Sequence, residues 1–421
     1  MAHAGAVSPT SHRVRRNRRR LLLIVAAVAT TVVVGTVAFV AVNLAGAASG
    51  IHHSDAVMPV AAPGVAQDEG EQNILIMGLD SRVDEDGKPY PQEIYDAIHA
   101  EDASVGGYNT NVLMYVHIPA GGGQAVAVSI PRDDYVDYAG APGGTKKGKI
   151  KEAYGRAFAA KDDELRAAGV SEDDAYQQAR DAARTEEMQT VSQFLGGVPI
   201  DHFVEVTMAA FYRVAQAVQP ISVCLNHATA DTYSGADFAA GPQQIDASQA
   251  MAFVRQRRDT EYRNVFLTDL DRTRRQQAFM VSLALKLRDA QTFTDFGRLQ
   301  DLLDTAKQYV AVDKGFDLLS LASTAQRLAG GDVTFQTLPV ERFGTIDGES
   351  VNIVDQKAIA AQVAALLHPA PAATPDAGTS AAPSATDAPA TTAPSASPSP
   401  TSSVYTDSQQ PMRAGSVPCV N

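Results

Sequence analysis

Hydrophobic and polar positions follow three different patterns along the chain. Residues 21–50 hold no charged residue, and most of their side chains are apolar. Between residues 72 and 368, short apolar runs alternate with stretches in which apolar residues recur every three or four positions, the spacing of a helix. Residues 369–403 are almost entirely Pro, Ala, Ser and Thr. These patterns predict a membrane-spanning segment, a globular region and a semi-extended linker.

The globular region mixes predicted strands with predicted helices. Strands are expected at NILIMGL, VLMYVHI, QAVAVSI, IDHFVEV, ISVCL and VTFQTLPV. Helices are expected within 151–193, at MAAFYRVAQAV, and in two segments that begin near Asp246 and Asp269. One further helix is expected before VTFQTLPV and another after it. The two aspartates are plausible helix N-caps. Long helices interspersed with strands predict an α/β or α+β layered fold.

The charge distribution predicts how the chain lies in a membrane. All basic residues among the first fifty are arginines at positions 13, 15, 16, 18, 19 and 20, directly before the apolar run. About 20 apolar residues span a bilayer, and basic flanks stay on the cytoplasmic side. We therefore expect a single-pass plasma-membrane protein with a cytoplasmic N-terminus and an extracytoplasmic domain. The alternative is a signal peptide cleaved near Ala45-Gly46-Ala47.

The remainder of the chain is acidic, which makes one arginine-rich window stand out. The net charge of −13 argues against nucleic-acid binding, and two cysteines exclude a four-cysteine metal motif. Residues 255–275 nevertheless hold arginines at 255, 257, 258, 263, 272, 274 and 275 against four acids. Arginine without lysine suits bidentate binding of phosphate or carboxylate. A surface network of local ion pairs is the alternative, and spacing leaves both open.

Two acidic positions at strand ends could complete an anion site. Asp80 follows a predicted buried strand and a glycine, where open α/β sheets place ligand-binding loops. A phosphate ligand held by arginines commonly brings a divalent cation, for which Asp80 would be a ligand. A turn or cap aspartate is an equally good interpretation. Arg132 and Asp133 follow another strand, and these two could instead form a buried structural pair.

Several motifs occur in one order and together resemble a known family. They are ILIMGLDSR, VLMYVHIP leading to VAVSIPRDDYV, KIKEAYGRA, VPIDHFVEV, and QAMAFVRQRR followed by DLDRTRRQQAF. Over residues 72–290 the chain resembles the LytR-CpsA-Psr family of bacterial cell-envelope proteins, and its ending VPCVN resembles actinobacterial members with a C-terminal extension. The resemblance implies a layered α-β-α fold with a central mixed sheet, preceded by one transmembrane helix.

With the resemblance, the chain divides into seven segments. They are a cytoplasmic tail (1–20), a transmembrane helix (21–48), a tether (49–71), the family core (72–290), the rest of the globular domain (291–368), the linker (369–403) and a tail (404–421).

The resemblance also implies an activity. Members transfer a glycopolymer from a polyprenyl pyrophosphate to peptidoglycan through a phosphodiester bond, with Mg²⁺ or Mn²⁺ as cofactor, outside the membrane. The lipid tail lies in an apolar tunnel, and the phosphates meet clustered arginines. The alternatives are a polyprenyl-pyrophosphate hydrolase and a carrier-binding regulator without turnover.

Motif matching assigns a role to individual residues. Asp80 takes the metal-binding role, Arg82 is a partner of the anion, and Gln276 makes a polar contact. Either Asp133 or Asp80 serves as base. The phosphate ligands are Arg132, Arg255, Arg257, Arg272 and Arg275.

The chain departs from the family pattern before the VLMYVHIP strand. Many members have Arg-Ser-Asp-Thr there, whose aspartate helps to hold the metal, whereas this chain has Asn109-Thr110-Asn111-Val112. Asn111 is therefore expected to be at most a weak metal ligand. The insertion between Val83 and Tyr108 is also longer than in minimal members.

The two cysteines, Cys224 and Cys419, are both expected outside the membrane, where disulfides persist. They either pair and tie the tail to the core or remain free thiols.

The predicted topology has a direct test. We expect the expressed full chain to fractionate with membranes at its full mass of 44.4 kDa, because residues 21–48 stay in the bilayer. Protease added outside intact cells should digest the globular domain. A shorter chain released into the medium would instead show cleavage after the apolar run.

Overall fold

The apolar runs of the sequence form the middle of an eight-stranded mixed sheet in the computed structural model of the protein. The structure describes residues 50–100, 102–103, 106–121, 123–262, 265–288, 296–316, 333–369, 407 and 409–421. The predicted cytoplasmic tail, the predicted transmembrane helix and nearly all of the predicted linker lie outside these residues, as does the helix expected before VTFQTLPV. Among the helices that are described, none is long and apolar enough to cross a membrane.

The strands, in chain order, are β1 (His52–Ser54), β2 (Gln72–Leu79), β3 (Thr110–Ile118), β4 (Ala125–Ile130), β5 (Tyr135–Asp137), β6 (Lys147–Lys149), β7 (His202–Thr207), β8 (Ile221–Leu225), β9 (Thr229–Asp231), β10 (Ala236–Phe238), β11 (Gly241–Ile245), β12 (Val310–Asp313), β13 (Val333–Thr337), β14 (Arg342–Ile346), β15 (Glu349–Ile353), β16 (Met412–Arg413) and β17 (Cys419–Val420). The helices are α1 (Gln92–Ala97), α2 (Glu152–Ala167), α3 (Glu172–Phe194), α4 (Met208–Val218), α5 (Ala247–Arg255), α6 (Asp269–Arg288), α7 (Phe296–Tyr309) and α8 (Gln356–Leu367).

The central sheet has the strand order β1-β12-β7-β2-β3-β4-β13-β16. The pairs β1/β12, β7/β2 and β4/β13 are parallel, and the other neighbours are antiparallel. Strands β2 and β3 therefore occupy the middle of the sheet and are covered on both faces. This position explains why both strands are nearly continuous apolar runs rather than alternating ones.

Each face of the sheet packs against its own layer of helices. Leu75 and Met77 of β2 share one core with Val191 of α3 and Val363 of α8. Ile74, one position earlier in the same strand, belongs to a second core with residues of α4, α5 and α6. Successive side chains of a strand point to opposite faces, so these two cores lie on opposite sides of the sheet. The predicted mixed α/β fold with a central mixed sheet is confirmed.

Two predicted helix starts have different outcomes. Asp246 caps α5 as expected: its side chain accepts a hydrogen bond from the Gln249 N–H at 2.8 Å, and the Gln249 side chain accepts one from the Asp246 N–H at 3.1 Å. Asp269 is not a cap but the first residue of α6. The neighbouring Thr268 hydroxyl accepts the hydrogen bond from the Asp271 N–H, at 3.4 Å. The carboxylate of Asp269 is therefore free for another role.

The insertion before β3 is anchored by a buried ionic network. The Glu85 carboxylate forms ion pairs with Arg180 and Arg184 of α3, and its Oε2 lies 2.9 Å from the Nη2 of each. Glu205 of β7 completes the network, 3.0 Å from Arg184, and all four side chains are at most 2% exposed. A carboxylate pair alone could not be buried here, because each charge needs an opposite charge and hydrogen bonds to offset its lost hydration.

The segment before β2, predicted to be a tether at 49–71, forms backbone hydrogen bonds with the rest of the domain. His52–Ser54 forms the edge strand β1, parallel to β12. Further along, the Ala62 N–H donates to the Gly197 carbonyl at 2.9 Å, and the Ile200 N–H donates to the Pro59 carbonyl at 3.1 Å. Backbone hydrogen bonds of this kind hold a segment that has neither strand nor helix periodicity, and Ala56 and Met58 also pack against the core.

The C-terminal tail is also part of the fold. Its strand β16 pairs with β13 at the edge of the central sheet, and β17 pairs with β8 in a small sheet. Cys419 of β17 forms a disulfide with Cys224 of β8, and both cysteines are buried. The tail thus contributes strands to two sheets.

This disulfide closes a long loop, since its cysteines are 195 residues apart in sequence. We expect Cys224→Ala combined with Cys419→Ala to lower the free energy of unfolding by about 2–5 kcal/mol, because the unfolded chain regains loop entropy. Denaturant unfolding of the full chain in detergent measures this, with the reduced native chain as the matched control. Equal unfolding midpoints for the variant and the oxidised native chain would contradict the prediction.

Candidate active site

A cavity of about 650 Å³ lies between the sheet and the helices α4, α5 and α6. One part of its wall is apolar, with Ile76, Met114, Phe211 and Phe279 among its residues. The polar part consists of Asp80, Arg82, Asn111, Arg132, Asp231, Tyr233, Ser234, Arg255, Arg257, Arg258, Arg272 and Gln276. Six arginines thus face two aspartates, so the polar wall is strongly cationic.

The end of β2 places Asp80 in this wall. The register between β2 and β3 shifts between Gly78 and Leu79, and such a bulge redirects the residues that follow. A side chain at Gly78 would meet the Val112 Cβ at 2.8 Å, so the two strands can approach this closely only at a glycine. The Asp80 N–H then donates to the Asn109 carbonyl at 2.9 Å, which fixes the turn.

Asn111 links Asp80 to Arg132. Its amide nitrogen donates to the Asp80 Oδ2 at 2.8 Å, and its carbonyl oxygen accepts from the Arg132 Nη1 at 2.5 Å. The reverse amide orientation would set an oxygen against a carboxylate, so this one is imposed by its neighbours. The amide oxygen that could have bound a metal ion is therefore turned towards Arg132 and away from Asp80.

Asp269 holds two of the arginines together. Its Oδ1 lies 3.1 Å from the Arg132 Nη2, and its Oδ2 lies 2.9 Å from the Arg272 Nη2. Both arginines are buried, with 7% and 6% of their surface exposed. One carboxylate thus offsets part of the repulsion between two cations and sets their spacing. Its position in the sequence suggested only a helix cap.

Asp133 lies beside the cavity and does not line it. Its Oδ1 is 2.7 Å from the Lys151 Nζ, and its Oδ2 is 3.6 Å from the Arg132 Nε. Burial favours the neutral acid, but the positive charges of Arg132 and Lys151 prevail and lower the pKa of the Asp133 carboxyl. Asp133 is accordingly a counter-ion of these cations and a weak base.

The C-terminal end of α5 supplies three further arginines. The Arg255 guanidinium donates to the Ile98 carbonyl of the insertion, and the Arg258 guanidinium lies over the Tyr233 ring at 4.4 Å from its centroid. Arg257 makes no hydrogen bond or ion pair with the residues that the structure describes. Its donors are therefore available to a ligand.

The arginines of the cavity repel one another. Burial lowers the pKa of Arg272 to about 10, and the charges of Arg132 and Arg257 act in the same direction against Asp269. Burial, Arg132 and Arg258 together lower the pKa of Arg257. Arg272 remains charged at neutral pH, and a bound polyanion would relieve the repulsion between it and the neighbouring arginines. This electrostatic imbalance is typical of a site for phosphate groups.

Arg275 does not reach the cavity, although the sequence placed it among the phosphate ligands. It is fully buried, and its guanidinium donates to the Asn421 carbonyl at 2.6 Å, to the Gln256 Oε1 at 2.5 Å and to the Thr229 Oγ1 at 3.1 Å. Every nitrogen of the group is thus used inside the fold. Gln276, the next residue on α6, does line the cavity.

The structure therefore brings most of the predicted site residues together. Asp80, Arg82, Asn111, Arg132, Arg255, Arg257, Arg272 and Gln276 line one cavity, whereas Asp133 and Arg275 do not. Sequence reasoning missed Arg258, Asp269 and the β9–β10 turn with Asp231, Tyr233 and Ser234. Arg258 lay inside the arginine-rich window, but the turn carries no recognisable pattern.

Comparison with known proteins finds relatives along most of the chain. Residues 38–367 match the model of the LytR_cpsA_psr family. The chain is 38% identical over 293 residues to the cell wall biosynthesis protein LcpA of Corynebacterium glutamicum, which covers 68% of this chain and 54% of that protein. It is 26% identical over 234 residues to the polyisoprenyl-teichoic acid–peptidoglycan teichoic acid transferase TagU of Enterococcus faecalis, covering 56% of this chain and 64% of that one. The chain thus spans little more than half the length of the first of these relatives.

Among solved structures, the LytR-Csp2A-Psr enzyme from Actinomyces oris is similar with a TM-score of 0.49. The two chains share 18% sequence identity, and the match covers 75% of this chain and 95% of that one.

Two arginines of the window allow a matched test of the site. We expect Arg257→Ala to weaken binding of inorganic pyrophosphate about 10- to 100-fold, because one or two charge-assisted hydrogen bonds to the ligand are lost. The free energy of unfolding should change little. Arg275→Ala should instead lower the free energy of unfolding by roughly 3 kcal/mol, because it leaves buried acceptors unpaired. Calorimetric titration and thermal unfolding measure the two effects. Equal losses of stability in both variants would contradict the assignment.

Proposed function

The chain belongs to the LytR_cpsA_psr family, and from this premise we propose that it transfers a glycopolymer from a polyprenyl-pyrophosphate carrier to peptidoglycan. The observation that carries the proposal is the single cavity that joins an apolar wall to six arginines and Asp80. A ligand that fills it must be apolar in one part and polyanionic in the next. Its relative TagU is a polyisoprenyl-teichoic acid–peptidoglycan teichoic acid transferase, and a polyisoprenyl-linked polymer would be such a ligand.

The apolar wall suits a polyprenyl chain. Ile76 and Met114 face it from the sheet, and Phe211 and Phe279 from α4 and α6. Each buried CH₂ group of a lipid contributes about 0.8 kcal/mol to binding. The tail would thus supply most of the affinity, and the arginines would fix the position of the phosphates.

The arginines suit the transfer step. In the proposed reaction, an acceptor hydroxyl oxygen bonds to the phosphorus that carries the glycopolymer, and the bond from that phosphorus to the bridging oxygen breaks. Polyprenyl phosphate leaves, and the acceptor hydroxyl loses its proton. Phosphoryl transfer of this kind depends on positioning and on neutralising charge at the phosphate oxygens. Arg132, Arg257 and Arg272 would meet those oxygens.

Asp80 is the carboxylate best placed for a divalent cation. It lines the cavity, and Mg²⁺ commonly needs only one or two protein carboxylates when substrate phosphates complete its shell. Mg²⁺ or Mn²⁺ bound there would supply further positive charge to the phosphates. We propose that Asn111 aligns Asp80 with Arg132 and is no metal ligand, because its oxygen accepts from Arg132.

Of the two carboxylates considered as base, Asp80 alone reaches the cavity. Asp133 is bound to Lys151 and Arg132, which lower its pKa. We therefore propose that the acceptor hydroxyl approaches Asp80 and that Asp133 only balances charge.

We further propose that the reaction takes place outside the cytoplasm, at the plasma membrane. The disulfide between Cys224 and Cys419 supports this location, since disulfides persist in oxidising compartments. The apolar segment at 21–48, preceded by arginines, supports the attachment.

The proposal predicts the effect of one substitution at Asp80. The full chain in detergent is incubated with a polyprenyl-pyrophosphate-linked oligosaccharide, peptidoglycan and Mg²⁺, with and without EDTA. We expect Asp80→Asn, like EDTA, to slow transfer roughly 100-fold, because several kcal/mol of charge stabilisation are lost. Asp163→Asn, at an exposed position of α2, is the matched control and should transfer normally.

The products separate the proposal from its two rivals. Oligosaccharide phosphate linked to peptidoglycan supports transfer. Free oligosaccharide phosphate in the presence of peptidoglycan would identify a hydrolase. Bound lipid without any cleavage would identify a carrier-binding protein, and the proposed activity would then be wrong.

A further inference from the structure

The turn between β9 and β10 is held in a fixed shape at the polar end of the cavity. The Asp231 carboxylate accepts hydrogen bonds from the Tyr233 N–H at 3.1 Å and from the Ser234 hydroxyl at 2.9 Å. Asp231 and Ser234 are only 2% and 4% exposed, so the turn is built into the fold. Gly235 follows with a positive φ of 74°, which a residue with a side chain rarely adopts.

The same turn is joined to the segment that carries the arginines. The Thr260 N–H donates to the Ala230 carbonyl at 2.8 Å, and the Asp259 carboxylate accepts from the Ala230 N–H at 3.3 Å. These residues directly follow Arg257 and Arg258. The position of the turn relative to the cationic wall is therefore set by hydrogen bonds.

Tyr233 is the one large aromatic side chain that this turn presents. It lines the cavity, yet 70% of its surface is exposed. The Arg258 guanidinium lies over the ring, 4.4 Å from the centroid, and covers one face. Tyr233 differs from exposed aromatic residues elsewhere, such as Phe266, because a hydrogen-bonded turn holds its ring at the wall of the cationic cavity, where a ligand can stack on it.

We propose that Tyr233 is a stacking platform for a pyranose ring of the glycopolymer, next to the pyrophosphate. This inference rests on the proposed function and adds to it a sugar subsite. The C–H face of a pyranose is apolar and stacks on aromatic rings, whereas its hydroxyls need polar partners at the edge. Tyr233 supplies the ring, and the Arg258 guanidinium supplies donors beside it. Neither the lipid tail nor the phosphates require these groups.

The test compares two ligands and three variants of the full chain in detergent. The ligands are a polyprenyl pyrophosphate that carries a disaccharide and the same lipid without sugar. We expect Tyr233→Ala to weaken binding of the first about 5- to 10-fold and to leave binding of the second unchanged. Tyr233→Phe keeps the ring and should bind both ligands normally.

Phe266→Ala is the matched control, because Phe266 is 92% exposed but does not line the cavity. It should leave both affinities unchanged, and thermal unfolding should show that all three variants fold.

Each outcome decides between the possibilities. Equal weakening of both ligands by Tyr233→Ala would assign the ring to the lipid or phosphates and overturn the sugar subsite. Unchanged donor binding with a raised KM for peptidoglycan in the transfer assay would overturn the glycopolymer subsite and assign the ring to the acceptor. No effect on either measurement would overturn the platform while the native chain still transfers polymer. If the native chain binds neither lipid, the proposed function itself fails, and the subsite with it.

Discussion

The shared carboxylate of Asp269 is the contact on which the cavity depends. Arg132 comes from the end of β4 and Arg272 from the first turn of α6, so without a counter-ion their charges would separate these elements. Asp269 joins them with one oxygen each, and Asn111 continues the chain of contacts to Asp80. Sheet and helix are thereby held at a spacing suited to a polyanion. The lining arginines outnumber the lining aspartates, and this excess of positive charge would favour a bound anion.

Neighbouring arginines of α6 have different functions because a helix turns by 100° per residue. Arg272 and Gln276 face the cavity. Arg274 donates to the carbonyls of Asp407 and Gln410, and Arg275 donates to that of Asn421. One helix therefore lines the cavity on one side and contacts the C-terminal tail on the other. A change in the tail would reach the cavity through the orientation of this helix.

The sequence predicted those parts that depend on local pattern. Apolar runs located β2, β3 and β4, and the arginine-rich window at 255–275 contains four of the six arginines that line the cavity. Motif matching placed Arg272, Arg275 and Gln276 in the site, and Arg272 and Gln276 do line the cavity. The sequence could not exclude Arg275 from the site, because its hydrogen-bond acceptors lie far apart in sequence, at Thr229, Gln256 and Asn421. The bridge at Asp269 and the turn at Tyr233 likewise arise only from tertiary contacts.

The C-terminal tail makes contacts with residues that are far from it in sequence. Arg274 meets its acceptor in Asp407 across 133 residues of sequence, and Arg275 meets Asn421 across 146. During synthesis, α6 leaves the ribosome well before the residues that carry these carbonyls. Both guanidinium groups therefore stay hydrated until the tail is present. Contacts this distant are slow to form, because loop-closure entropy is lost before they stabilise the fold. Helix α6 therefore gains its last contacts only when the C-terminal tail docks, after the linker has been synthesised. Folding of the candidate site is therefore complete only after the C-terminal segment has been synthesised and has docked.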